Sequence, residues 1–437
     1  MRATVSLTVA ALVAAVFVAV ATLRDAQETA AAAAPQLPYS IRGTARPQLA
    51  RTVADMTARL SATPDDATAV IHLSEALLRL QRVNNDGHAV IDAESHLRAF
   101  LKRVPAHYEA RRMLAAVLLS QHRYGEAIAE SDRLRASDPS DAWNYGAIGD
   151  GHMELGDYER AFAAFDRMGQ LQPGPPAYAR VSYALEIKGD LVGALDYMQR
   201  AADGTTANDP ESLAWHFSQL GDLLLQLGRL GQARLHYERA AATFAGHPLA
   251  LAGLARVKVL DGDLKGARSL LQTELAKTPT SEVAITIGDL STALGDTGNA
   301  EAYYRMAEQI ERASWRNGPA QPQVLARFFA DRDRNIPAAV ELAETAVRSR
   351  RDIFTMDTAA VAYFKAGHID KARRASSEAL RTGTRDARIL WHSAEILTAM
   401  GERAAAAAAL SRIPSPETVA DVRVRGGIEA LRLRVAP

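Results

Sequence analysis

Eleven histidines and 51 aspartates and glutamates are the side chains of this 437-residue chain that could ligate a metal or move a proton. A zinc hydrolase of the commonest type sets two imidazoles one helical turn apart with a carboxylate beside them, as His-Glu-x-x-His. No such run occurs. His88 and His96 are the closest pair on one helical face. No further ligands accompany them, and a structural or solvent-facing place suits both better. A phosphate-cradling loop would lead from glycines to Lys-Ser/Thr, and an exposed nucleophilic serine would sit in Gly-x-Ser-x-Gly; neither is present. Cysteine is absent, which removes disulfides, thiolate metal sites and cysteine nucleophiles together. The carboxylates are spread along helical stretches where solvation is their ordinary role, so no two of them define an acid–base pair. No catalytic set is expected, no metal site and no cofactor.

The elements that carry these residues follow from composition and spacing. Hydrophobic residues make up 48% of the chain and aromatic ones only 6%, which points to closely packed helices with small contact residues. Lys+Arg and Asp+Glu balance at 51 each, so the overall field gives no reason to expect nucleic acid as a partner. Near the N-terminus, Arg2 precedes an uncharged run from Val5 to Leu23, which ends at Arg24 and Asp25. That run has the length of a long secretory signal or a short membrane anchor. Residues 1–24 are therefore expected to export the chain to a periplasmic or secreted location, or to hold it on a membrane, which they alone would touch. Residues 25–46, rich in Ala and Pro, are expected to form a flexible tether.

Internal periodicity carries the architecture. Alanines at 93, 127, 161, 194, 233, 267, 300, 339, 372 and 406 are separated by 34, 34, 33, 39, 34, 33, 39, 33 and 34 residues. Five residues before these rungs stand Gly156, Gly189, Gly228, Gly262, Gly295, Gly367 and Gly401, and twelve residues after them Pro105, Pro139, Pro173 and Pro279. A helix–turn–helix unit explains all three. Gly closes the first helix in the left-handed conformation it reaches cheaply, Ala lets the second helix approach, and Pro stops it. A larger residue four positions past the Ala, such as Phe165, Tyr237 or Tyr304, is placed to wedge between the helices. Small residues twelve before it, such as Gly149, Gly221 and Gly288, make the matching close contact. The eighth unit has Arg334 where Gly is expected. Two connections are longer than the rest, at 203–210 and 313–322; such loops suit plain surface insertions, with a bend of the array or a division into subdomains as the alternative.

This pattern resembles the tetratricopeptide repeat, a 34-residue helix pair with small residues at positions 8 and 20, Gly at 15 and Pro at 32. The resemblance covers roughly residues 67–420. It implies an all-α, right-handed α-solenoid of about ten antiparallel helix pairs over 67–414, with a capping helix at 47–64 and another at 415–437. It also implies a concave groove lined by first-helix positions, where partner segments lie. Carried over position by position, the groove candidates are Trp143, Asp150, Glu154, Tyr183, Trp215, Asp222 and Asp289. Aromatic anchors among acids would suit a protein or peptide partner that is basic and bears apolar side chains. The function so implied is a non-catalytic scaffold or adaptor. Alternatives are an accessory or regulatory subunit of an envelope enzyme or secretion complex, and an enzyme with an unrecognised site.

Overall fold

A small residue at every rung lets two helix backbones approach, and the chain uses that approach throughout. The computed structural model describes residues 46–84, 87–317 and 321–435, all within the unit Ile41–Pro437. The export or anchor stretch 1–24, nearly all of the tether 25–46, Asn85 and Asp86, and residues 318–320 of the second long connection lie outside the described residues.

Among the described residues there are 22 α-helices and no strands. A single helix, α1 (Arg46–Ala62), precedes ten pairs. The first five are α2 (Ala67–Asn84) with α3 (Gly87–Arg103), α4 (Tyr108–Ser120) with α5 (Tyr124–Ser137), α6 (Ala142–Leu155) with α7 (Tyr158–Leu171), α8 (Pro175–Ile187) with α9 (Leu191–Gly204), and α10 (Pro210–Gln226) with α11 (Leu230–Thr243). The second five are α12 (Pro248–Leu260) with α13 (Leu264–Leu275), α14 (Ser281–Ala293) with α15 (Thr297–Asn317), α16 (Pro322–Asp331) with α17 (Ile336–Ser349), α18 (Ile353–Lys365) with α19 (Ile369–Ala379), and α20 (Ala387–Ala399) with α21 (Arg403–Ser411). A short 3-10 turn at Pro416–Thr418 leads into α22 (Val422–Val435).

The repeat grammar is realised in packing. All ten ladder alanines are buried, none more than 3% exposed. A methyl added at Gly149, Gly221 or Gly288 would run into the ring of Phe165, Tyr237 or Tyr304 respectively, so each ring lies against bare backbone of the paired helix. The seven turn glycines all have φ between 75° and 83°. Where Gly is missing, other residues take the left-handed conformation: His122 at φ 60° in the second unit, Asp333 at 50° and Asn335 at 38° in the eighth. Asn and Asp tolerate that region best among L residues. The connection expected at 313–322 is shorter than its sequence suggests. Residues 313–317 continue α15 to a length of 21 residues, because Trp315 packs on the core and rewards the extra turn.

The array also coils back on itself, which no local pattern announces. The Arg351 amide donates to the Leu155 carbonyl at 3.1 Å, and the Ile353 amide to the Tyr158 hydroxyl at 2.9 Å. The Thr418 hydroxyl donates to the Leu225 carbonyl at 2.6 Å, and Arg46 reaches the carbonyls of Val83 and Gly246, both at 2.9 Å. Three turn glycines form this seam. A Cβ on Gly156 would lie 2.5 Å from the Arg351 carbonyl, one on Gly189 would lie 2.5 Å from the Gly383 oxygen, and one on Gly228 would strike Ser415. Around Gly262, Gly295, Gly367 and Gly401 there is open space.

Gly156→Ala and Gly262→Ala thus share a left-handed backbone penalty of about 1–2 kcal/mol. Gly156→Ala should cost about 1–3 kcal/mol more, because the methyl also meets backbone across the seam. Thermal unfolding of the two variants side by side reads that difference.

Candidate functional site

The inner surface of the coiled array carries two half-open cavities, walled mainly by the first helices of the pairs. The first, of about 990 Å³, is lined by α2, α4, α6, α8 and the start of α10. Trp143, Asp150, Glu154, Tyr183 and Trp215 all stand in its wall. The second, of about 740 Å³, lies among α10, α12, α14 and the segment 413–424, and holds Asp222 and Asp289. The structure therefore gathers five of the seven candidates in one cavity and places two in the other. Glu186 and Gln219 belong to both walls.

Three of the acids do not face the cavities unpaired. Asp150 receives two hydrogen bonds from Arg180 of the next repeat, at 2.9 and 2.6 Å. Asp222 pairs with Arg256 of the next repeat and accepts a hydrogen bond from the Tyr237 hydroxyl. Asp289 accepts from Arg332 of the next repeat, with Nε at 3.0 Å, and from the Tyr304 hydroxyl at 2.8 Å. Each is a strut: an aspartate on the first helix of one repeat, gripped by an arginine of the following one. The expected free acidic wall is smaller for that reason. Arg256 is the residue at the aspartate's own position one repeat later, so the alternation of Asp222 and Arg256 was the sequence signal for that one strut.

The remaining candidates differ. Glu154 accepts from the Tyr124 hydroxyl at 3.2 Å and from Arg350 at 3.3 Å. Burial nonetheless raises its pKa, since the loss of water outweighs Arg350. Burial likewise pushes Glu186 up to about 7, although Gln226 donates to it at 2.7 Å. Trp143 lies under the Arg112 guanidinium, 4.8 Å from its ring centre, and Trp215 meets His216 edge-on at 5.3 Å. Tyr183 is held protonated by burial. In the first cavity five carboxylates face two arginines, and in the second seven face three. The rim of the first is closed by Arg82, whose guanidinium grips Glu211 across 129 residues at 3.0 and 2.8 Å.

Sequence reasoning missed these cross-coil partners and the part played by the C-terminal segment. Residues 413–424 wall the second cavity, and behind them lies a buried charge chain. His392 Nδ1 sits 2.9 Å from Asp357, its Nε2 3.4 Å from Asp331, and Asp331 accepts from Arg423 at 2.8 Å. Burial works against a charge on His392, but Asp357 and Asp331 outweigh it and hold its pKa above the ordinary value. Among the described residues no group of three or more His, Asp or Glu is placed to hold a metal ion.

Repeated helical pairs, stacked along one axis around an inner surface, define a helical-repeat protein. Family models described as tetratricopeptide repeat match residues 92–142 and 224–287. Over those two stretches the chain carries tetratricopeptide repeats. No curated protein matches it in sequence. Among solved structures it is similar to the APC/C hetero-tetramer Cut9-Hcn1, at 16% identity over 89% of this chain and 59% of that one, with a TM-score of 0.45. It is similar to a human IFIT1 dimer with PPP-AAAA, at 14% identity over 72% of each chain and a TM-score of 0.46. It is similar to PilW, a type IV pilus biogenesis factor, at 20% identity over 45% of this chain and 90% of that one, with a TM-score of 0.38. The chain thus spans 59% of the length of Cut9-Hcn1.

Two outcomes test the electrostatics. Arg332 and Asp289 have side chains only 11% and 12% exposed, so Arg332→Gln should cost about 3–5 kcal/mol, the usual loss when a buried pair is broken. Arg334→Gln, on an open pair with Glu301, should cost less than about 1 kcal/mol. Denaturant unfolding of both variants gives the comparison. His392 binds its proton more tightly folded than unfolded, so its stabilisation is complete below the unfolded value of about 6.5 and fades as pH rises through the raised folded value. Melting temperature should fall over that window in the parent chain, and the fall should be absent in His392→Gln.

Proposed function

We propose that this chain is a non-catalytic scaffold that holds one partner segment in its first cavity. The single observation carrying this reading is the wall itself: Trp143, Tyr183 and Trp215 face a space of about 990 Å³ in which carboxylates outnumber arginines five to two. Partly buried aromatic rings anchor apolar side chains, and a surplus of acid selects a basic neighbour. Arg180 holds Asp150, Arg82 holds Glu211 and Arg79 reaches Asp209 at 3.4 Å. The acids best placed for a partner's cation are thus Glu186, which accepts from Gln226, and Glu154, whose pKa burial raises despite Arg350. The partner is therefore a protein segment that carries arginine or lysine among apolar residues. Export or membrane anchoring belongs to the same reading, and rests on the uncharged run 5–23 alone. No described helix is long and apolar enough to cross a membrane.

A panel of labelled peptides alternating arginine with leucine, read by fluorescence anisotropy, tests the cavity. Trp215→Ala should weaken the best binder by about 30-fold, in keeping with about 2 kcal/mol for a buried aromatic anchor. Glu154→Gln should weaken it by about tenfold and lower its salt dependence. Unchanged affinity in both variants would remove the cavity from consideration.

A further inference from the structure

The chain's own C-terminus has the chemistry just assigned to a partner. Helix α22 carries Arg423, Arg425, Arg432 and Arg434 against one acid, Glu429. Its Val424, Ile428, Leu431 and Val435 form a buried apolar stripe. Before the helix begins, the chain leaves α21 and crosses to the end of α10. There the Thr418 hydroxyl donates to the Leu225 carbonyl at 2.6 Å, and Ser415 fills the space beside Gly228. The crossing walls the second cavity with Val419 and Val422.

The helix is then fixed by one arginine. Arg423 donates to Asp331 at 2.8 Å, 92 residues away on α16, and its guanidinium lies 5.1 Å from the centre of the Trp391 ring. Asp331 is buried, its side chain 4% exposed, and His392 stands on its other side. A buried carboxylate and an indole face form a socket for a guanidinium, in which charge, hydrogen bond and stacking act together. The apolar stripe follows directly: Val424, Ile428 and Leu431 stand one, five and eight residues after the arginine and pack on Leu390, Ala394 and Leu410. Gly427 lets the helix lie flat on Trp391, since a methyl there would enter the ring.

We infer that residues 413–435, which wall the second cavity up to Val424 and then cover the last helix pair, are a displaceable latch, and that the surface beneath them is a second binding site for a partner segment of the same kind. That segment is a helix with an arginine for the Asp331–Trp391 socket and apolar side chains one, five and eight residues later. The inference rests on the reading of the partner as a basic, apolar segment. A site that is mostly covered binds with an affinity reduced by the fraction of time it is open, so the latch sets the threshold for partner binding.

The test uses the full chain and a labelled synthetic peptide of residues 421–435. Thr418→Val with Arg423→Gln removes the two polar fastenings of the latch, so that only its apolar stripe still holds it, and leaves the socket intact. The peptide should bind this double variant at least tenfold more tightly than the parent chain, and addition of Asp331→Asn should abolish the gain. A peptide carrying Arg423→Gln should not bind. Hydrogen exchange over 422–435 verifies release of the helix, and circular dichroism verifies that the rest stays folded. If the double variant unfolds, Gly427→Ala, which lifts the helix from Trp391 and keeps the arginine, replaces it with the same expected gain. Equal affinity for parent and released chains overturns the inference. If that equal binding drops with Trp215→Ala, the first-cavity reading stands and only the latch falls. A gain that is indifferent to Trp215→Ala supports the latch whatever becomes of the first cavity.

Discussion

Backbone meets backbone across the coil at Gly156 and Gly189, and the Ser415 side chain packs on Gly228; the interior of the molecule depends on these contacts. Within each pair, close approach needs only a small side chain, and the array satisfies it ten times. Between successive coils the requirement is stricter. The left-handed turn must also lack a Cβ, because the loop ending a repeat several units further on lies against it. With the seam closed, the inner faces of the first helices line half-open cavities. An open superhelix built from the same repeats would present them as an exposed groove.

Charge is distributed in keeping with that enclosure. Aspartates on the inner faces would be costly if left bare in a partly closed interior, and three of them are tied to the next repeat by arginine. Such struts add directional bonds to a stack otherwise held by apolar contact, and they relate neighbouring repeats in orientation. In the wall of the first cavity, Glu154 and Glu186 have pKa values that burial raises. The inner surface thus holds two sets of acids: aspartates paired with arginine that brace the stack, and glutamates whose charge burial opposes.

The C-terminal segment links the two themes. It crosses the coil at the Gly228 seam, walls the second cavity and delivers Arg423 to Asp331. The same features that close the structure also describe what could replace them.

Much of this was legible in the sequence. The spacing of Ala, Gly and Pro specified ten helix pairs, their turn conformations and the rings that wedge between them, because packing within a pair is local and recurs every 34 residues or so. The repeat fold followed, and with it the inner-surface places of Trp143, Tyr183 and Trp215. The alternation of Asp222 and Arg256 carried one of the three struts; those of Asp150 with Arg180 and Asp289 with Arg332 follow no such alternation. The meeting of Arg82 with Glu211, of Arg351 with Leu155, and of the C-terminal segment with Leu225 was not legible. These contacts depend on the small rotation between neighbouring repeats, summed over several units, and no single repeat encodes that sum. Local periodicity therefore determined the elements and their pairing. Only the tertiary structure decided which acids are braced by arginine, which are left with raised pKa values, and that the array coils back on itself.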